Sequence, residues 1–464
     1  MVPYRFARYD SRVRVLRSAK FKDWGAQAAS LFRRAACPAN LLAHEISCLL
    51  PRHVRNGRSE MFAASCRELQ AGSPFGCRSR QALRSPKCPR RRLRTSLRPA
   101  AFFVALAFVV VVLVSCNKQS TQSKIDPNDP VEVVLPDHGT YTGAFMDFGD
   151  AEDSVTLEMV EDFETMVGKH QAIIASSSYW GEQSFPTANL NVLWRHGSLP
   201  LVFWSPWDRP YEQNRGPDKF NLNDIIAGKW DTYIDKWADA ARGFGHPMIV
   251  AFGVEMNGDW FPWSGAYYGG DEWIEDEESW QGPERFKAAY CYVVDRVRAR
   301  GATNIKWMFH TNNYSYPLDT WNFAPAYYPG PDYVDWLGLS VYGQQFKDEP
   351  WANIPSLVDW PYQEMCALDP NKPIMIAEWA TGEFPRSGNK GAWIKEGLDL
   401  FRTRYPRIKA AVYWHERWQN PDQSYSNLRV NSSVESLNAY REGVANPDWL
   451  GDLILRAITP AKGK

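Results

Sequence analysis

Disulfide bonds are the first thing this sequence does without. Five of its eight cysteines (Cys37, Cys48, Cys66, Cys77, Cys88) lie near the start, and beyond Cys116 only Cys291 and Cys366 remain. Two cysteines cannot staple so large a body, so its stability must come from packing. No GxGxxG, Walker-type loop, GxSxG elbow or HExxH motif occurs, which argues against dinucleotide, P-loop, serine-hydrolase and zincin chemistry. The early cysteines have no CxxC spacing or histidine pairing, so no metal site and no cofactor is expected. No repeat of 20 to 50 residues is visible, which excludes a solenoid.

Net charge is also absent, with 53 Lys and Arg against 53 Asp and Glu, but the balance hides a division. Residues 1–98 hold 22 Lys and Arg against 5 Asp and Glu, and the remainder carries the matching acidic excess. A basic arm can bind nucleic acid, yet the adjoining segment favours another reading. "RRRLRTSLRPAAFFVALAFVVVVLVSC" has a basic flank, an apolar run from Ala100 to Val114 and small residues before a cysteine. At 15 residues the run is short for crossing a bilayer. Leu113-Val114-Ser115-Cys116 resembles a bacterial lipobox, which implies cleavage before Cys116, acylation of its thiol and a membrane held through lipid. An ordinary transmembrane anchor is the alternative.

The expected organisation is a basic upstream extension, 1–89, outside the mature protein; a lipoprotein-type signal segment, 90–115; a lipidated Cys116 with a flexible polar tether, 116–136; and one domain, 137–464. On this reading the protein is exported, held on the cell envelope by lipid, and has no nucleic-acid partner.

The body of the chain contains eight apolar, β-rich runs: "TYTGAFM", "AIIASSSYW", "LPLVFWSPW", "PMIVAFGVE", "IKWMFHTNN", "VDWLGLSVYG", "KPIMIAEWA" and "IKAAVYWHE". Stretches with helical spacing separate most of them, for example "WDTYIDKWADAARGFG" and "PERFKAAYCYVVDRVRARG". Strands alternating with helices predict a parallel sheet, and near-continuous apolar strands predict one covered on both faces. Eight such units predict a single (β/α)8 barrel with its active site at the C-terminal ends of the strands.

Those ends are rich in aromatic, amide and acidic residues: Trp180, Trp207, Glu255 with Asn257, His310, Tyr342, Glu378, and Trp414 with His415. Of 21 tryptophans, 20 lie after Cys116, and a flat ring at a strand end can stack on the apolar face of a pyranose; burial in a large core is the plainer account for many. Asn257 precedes Gly258, a pair that favours a turn without any substrate. His310 and His415 are sugar contacts or structural hydrogen-bonding residues.

Glu255 closes predicted strand four and Glu378 closes strand seven, which places two carboxylates on one rim. Retaining glycoside hydrolysis uses such a pair, one as nucleophile and one as proton donor. "EMNGDWFPW" is similar to the acid/base segment of glycoside hydrolase family 26, and "IMIAEWATGE" resembles its nucleophile segment. The resemblance covers roughly residues 140–450. It implies Glu255 as acid/base, Glu378 as nucleophile, Tyr342 as the tyrosine that hydrogen-bonds the nucleophile, and Trp260 and Trp414 as substrate-contacting rings. One departure stands out: mannanases of the family usually carry His just before the acid/base and frequently Arg three residues earlier, where this chain has Val254 and Ala251. The expected function is a retaining endo-β-glycanase acting on a β-linked polysaccharide or oligosaccharide, β-1,4-mannan first. The alternatives are a β-glucanase (mixed-linkage or β-1,3) and a surface glycan-binding lipoprotein without turnover.

Overall fold

A computed structural model describes residues 130–208, 216–217 and 219–458. The upstream extension, the signal segment, Cys116 and the tether up to residue 129 lie outside the described residues. Among the described residues no helix is long and apolar enough to cross a membrane.

The eight apolar runs form eight strands: β1 Thr140–Phe145, β2 Ile173–Tyr179, β3 Leu199–Ser205, β4 Met248–Phe252, β5 Ile305–Asn312, β6 Trp336–Tyr342, β7 Ile374–Ala380 and β8 Ile408–Trp414. Each pairs in parallel with the next. β8 pairs back on β1 from Ala410 opposite Tyr141 to Trp414 opposite Phe145, which closes the barrel. The predicted (β/α)8 architecture is the one observed.

Among the described residues, seven helices of ten or more residues cover the outside: α1 Leu157–Val167, α2 Thr187–His196, α3 Asp231–Phe244, α4 Gln281–Ala299, α5 Ile354–Leu368, α6 Lys390–Thr403 and α7 Val434–Val444. Side chains start four of them: Thr156, Asn353, Asn389 and Ser433 each accept a first-turn backbone N–H. The β5–β6 connection has only the short turn of helix Ala324–Tyr327. α2, α3 and α4 have no side-chain N-cap, and α5 carries Pro361 within its length.

Along each strand, side chains alternate between the barrel interior and the helix layer. The outward set is aromatic. Trp204 of β3 stacks on Trp237 of α3 with ring centres 3.9 Å apart, and Trp379 of β7 packs edge-on against Phe401 of α6 at 5.1 Å. These contacts fix the helices on the barrel and leave the inward positions free to carry polar chemistry. Trp237 is almost fully buried. Trp237→Ala should lower stability by about 3–5 kcal/mol, measured as a fall in the urea midpoint with an unchanged denaturant slope.

Candidate active site

Four residues at one end of the barrel share a layer. The β5–β6 register sets Asn312 opposite Ser340, and the β6–β7 register sets Ser340 opposite Glu378. The last match depends on an irregularity: Ile376 faces Leu339 but Glu378 faces Ser340, so β7 carries one extra residue at Ala377. A bulge of this kind re-aims the side chains beyond it, and here it turns Glu378 into the interior while Trp379 faces the helices. The fourth member is Glu255, just beyond the end of β4. Its backbone is left-handed (φ 54°), as is that of Gly253 (φ 59°). For a glutamate this conformation is unfavourable and persists only where the surroundings impose it. They do so here: the Glu255 N–H donates to the His310 carbonyl at 2.8 Å, and its own carbonyl accepts from Gly258 N at 2.9 Å.

Both carboxylates line a small cavity with Glu152, Ser177, Tyr179, Phe203, Ser205, Trp207, Val254, Phe261 and Trp414. Glu255 Oε1 accepts from Asn312 Nδ2 at 3.0 Å and Oε2 from Trp260 Nε1 at 2.7 Å. Ser340 also hydrogen-bonds it. Glu378 Oε2 accepts from the Tyr342 hydroxyl at 2.6 Å. Burial pushes the Glu255 carboxyl up, against the pull of Ser340, Asn312 and Trp260. Burial pushes Glu378 well above the usual carboxylate range, and the charge of Glu255 adds to the rise while Tyr342 opposes it. The charge of Glu255 thus opposes the ionisation of Glu378, and the Tyr342 hydroxyl favours it. One carboxylate and one carboxylic acid side by side are what glycoside cleavage uses.

The remaining expected site residues divide. Trp207 and Trp414 line the cavity, and Trp414 stacks on Phe145 with centres 4.0 Å apart. Trp260 and Tyr342 meet it through the carboxylates that they hold. Four others are not brought to the cavity. Trp180 is fully buried on the far side of the wall, packed on Tyr233 at 5.1 Å and Trp204 at 5.4 Å. Tyr179 points inward, so its neighbour points out. His415 likewise faces the helix layer, edge-on to Phe163 at 5.1 Å, with Nδ1 accepting from Val430 N. Burial lowers its pKa to about 3, so the ring is neutral.

His310 does point inward but lies beneath the carboxylates with no exposed side-chain surface, and burial takes its pKa to about 3. Its Nε2 is 2.9 Å from Ser340 Oγ and 3.9 Å from Glu378 Oε1. Because the Ser340 hydroxyl serves Glu255, the neutral His310 acts as the donor to Ser340 and steadies Glu255 from below. Asn257 is spent within the protein. Its Oδ1 accepts from Asn312 N, and its Nδ2 donates to the Asn312 carbonyl and Ser315 Oγ. It fixes the end of β5, from which Asn312 reaches Glu255, so a positioning role replaces the expected sugar contact.

Glu152 is invisible in the sequence. It sits in the β1–α1 loop, away from any strand end, and enters the cavity by accepting from Ser177 Oγ at 2.7 Å and the Tyr179 hydroxyl at 3.3 Å. Only contacts across β2 reveal it. Glu416 is the fourth acid of the group, pushed up to about 8 by burial and the charge of Glu152, with Trp414 Nε1 donating to it at 2.7 Å.

Comparison with known proteins bears on this site. Residues 221–421 match the model of glycosyl hydrolase family 26. Endoglucanase H of Acetivibrio thermocellus is 30% identical over 292 residues, 61% of this chain and 29% of that protein. A mannan endo-1,4-beta-mannosidase of Bacillus subtilis is 23% identical over 244 residues, 52% of this chain and 58% of that protein. The chain thus spans less than two thirds of the length of either relative. The catalytic domain of the Bacillus sp. JAMB-750 GH26 endo-beta-1,4-mannanase shares the fold, with a TM-score of 0.50 at 18% identity, covering 67% of this chain and 86% of that one. The matched segment bears Glu255, Tyr342, Glu378 and Trp414, so the likeness to glycosyl hydrolase family 26 falls on the residues that build the cavity.

Proposed function

We propose that the protein is a retaining endo-β-glycanase that cleaves its polysaccharide by double displacement. The observation that carries this reading is the pair of buried carboxyls in one cavity, Glu378 hydrogen-bonded by Tyr342 and Glu255 by Asn312 and Trp260. Ionised Glu378 attacks the anomeric carbon as the glycosidic bond breaks, and the proton of Glu255 passes to the departing oxygen. Glu255, now a carboxylate, takes a proton from water, whose oxygen displaces Glu378 and regenerates both groups. The mechanism asks for carboxyls about 5–5.5 Å apart. Phe203, Phe261, Trp207 and Trp414 supply flat apolar surface on which sugar rings can stack.

β-1,4-Mannan is the first substrate reading, from the motif likeness and from the mannosidase relative. A β-glucan is the second, favoured by a specific observation. Val254 lines the cavity where mannanases of the family place a histidine, so a polar contact to the sugar hydroxyls is missing. The endoglucanase relative points the same way. We also propose, from the sequence pattern alone, that the chain is exported and held on the envelope by lipid at Cys116.

On a panel of mannan, mixed-linkage β-glucan and β-1,3-glucan, reducing ends should accumulate on one polymer with oligosaccharide products; release from none of them defeats the glycanase reading. Glu378→Gln should cut turnover by about three orders of magnitude or more while chain binding persists. With azide, Glu255→Ala should yield a β-glycosyl azide and Glu378→Ala an α-glycosyl azide; the reverse pattern swaps the two roles. For Tyr342→Phe the sign is fixed. The phenol donates to the charged form of Glu378 and lowers its pKa, so losing it raises that pKa, and the acidic limb of the pH–rate profile should move up by about one unit.

A further inference from the structure

Outside the cavity, one group of side chains converges as metal ligands do. Glu164 lies in the last turn of α1, His170 just beyond that helix, and His196 ends α2. Gly168 (φ 70°) and Gly197 (φ 100°) close the two helices in the left-handed conformation and turn the chain back toward the starts of β2 and β3. The group therefore sits at the N-terminal end of the barrel, opposite the carboxylate pair. His170 Nδ1 is 2.9 Å from Glu164 Oε1, and His196 Nε2 is 3.2 Å from Glu164 Oε2. One ligand atom from each residue lies within 4.8 Å of the others. Two helix C-termini, the negative ends of their dipoles, meet at the same place.

The surrounding hydrogen bonds decide what the ring nitrogens can do. The Ser198 hydroxyl donates its one proton to the Gln171 carbonyl at 2.6 Å, so toward His196 Nδ1, 3.0 Å away, it can only accept. His196 Nδ1 therefore carries the hydrogen, and in the neutral ring Nε2 turns a lone pair toward Glu164. His170 has a second hydrogen bond to the Gly197 backbone that favours the protonated ring, as donation to a carbonyl does. Its inner nitrogen also faces Glu164. The two rings, with centres 4.6 Å apart, thus face the same carboxylate from two sides.

We propose that Glu164, His170 and His196 form a site for one divalent transition-metal ion, zinc by its ligand set. Two neutral imidazoles and a carboxylate are a recurrent zinc set, water completes the tetrahedron, and bonds of about 2.0–2.1 Å place ligand atoms about 3.3 Å apart. Each ring approaches a different Glu164 oxygen, at 2.9 and 3.2 Å, and one atom from each residue lies within 4.8 Å of the others, so small side-chain rotations close the set on an ion. Side-chain exposures of 15% for Glu164, 28% for His170 and 10% for His196 leave a path for the ion and its water. Bound there, the ion ties α1 and α2 to the starts of β2 and β3. The pattern is unreadable in the sequence because the three ligands follow no metal-motif spacing.

The test uses the full chain stripped with chelator and dialysed against buffered micromolar zinc. Free thiols can take up zinc nonspecifically, so the readout is the difference between wild type and the variants His170→Gln, His196→Gln and Glu164→Gln. The wild type should hold one more zinc per chain than each variant, with affinity at that site falling at least about tenfold. Zinc should raise its thermal midpoint, and cobalt should give the visible bands of a tetrahedral site, both lost in the variants. Equal uptake and equal midpoints in wild type and variants overturn the proposal. Where a variant fails to fold by near-UV circular dichroism, diethyl pyrocarbonate modification of the wild type decides instead. Protection of His170 and His196 by zinc supports the site, and unchanged modification overturns it.

Discussion

The chemistry of this barrel depends on holding two carboxyl groups out of water in one small cavity. In solvent each would ionise independently below pH 5. Here burial raises both, and the charge of Glu255 resists the ionisation of Glu378. The cost is bearable because each acid is given donors. Glu255 receives Trp260, Asn312 and Ser340, and Glu378 receives Tyr342. The donors come from β5, β6 and the segment after β4, so sheet closure and register, rather than any local motif, set the site.

Second to that constraint is the division of each strand into an inward and an outward set. Glu378 and Trp379 are neighbours with opposite duties, one in the cavity and one against α6. Phe203 and Trp204 repeat the pattern on β3, as do Tyr179 and Trp180 at the end of β2. A slip of one residue in β7 would exchange the carboxylate for a core tryptophan, and in β2 or β3 it would exchange Tyr179 or Phe203 for one. The bulge at Ala377 shows how closely this is controlled, since without it the alternation from Ile376 would place Glu378 differently relative to Ser340.

The amino-acid sequence is most readable where its signal is local. All eight strands are visible as apolar runs because both faces of a closed parallel sheet are covered. The helices with regular apolar spacing, α3 and α4, are visible too, whereas α5 is hidden by Pro361. Site residues are harder, since a run such as "SSSYW" does not say which aromatic faces in. Trp180 and His415 mislead for that reason. His310 and Asn257 lie close to the chemistry but serve it through Ser340 and Asn312, a distinction that only hydrogen-bond partners reveal. Glu152 and the Glu164–His170–His196 group depend on contacts between separate elements, which no stretch of sequence displays.

Placing so many acids under cover has a consequence for the whole domain. Glu255, Glu378 and Glu416 all bind their protons more tightly folded than unfolded, with Glu416 reaching about 8. An acid whose folded pKa is raised takes up protons on folding, so its contribution to stability is greatest below the unfolded value near 4.5 and declines as pH rises toward the folded one. The cavity is thus a local source of instability across the neutral range, and the rest of the barrel must offset it. Stacked tryptophans on the outer face and the tied helix ends at the opposite mouth are suited to do so, because neither shares a titrating group with the cavity. Chemistry at one end and cohesion at the other can then change independently, as a (β/α)8 barrel permits.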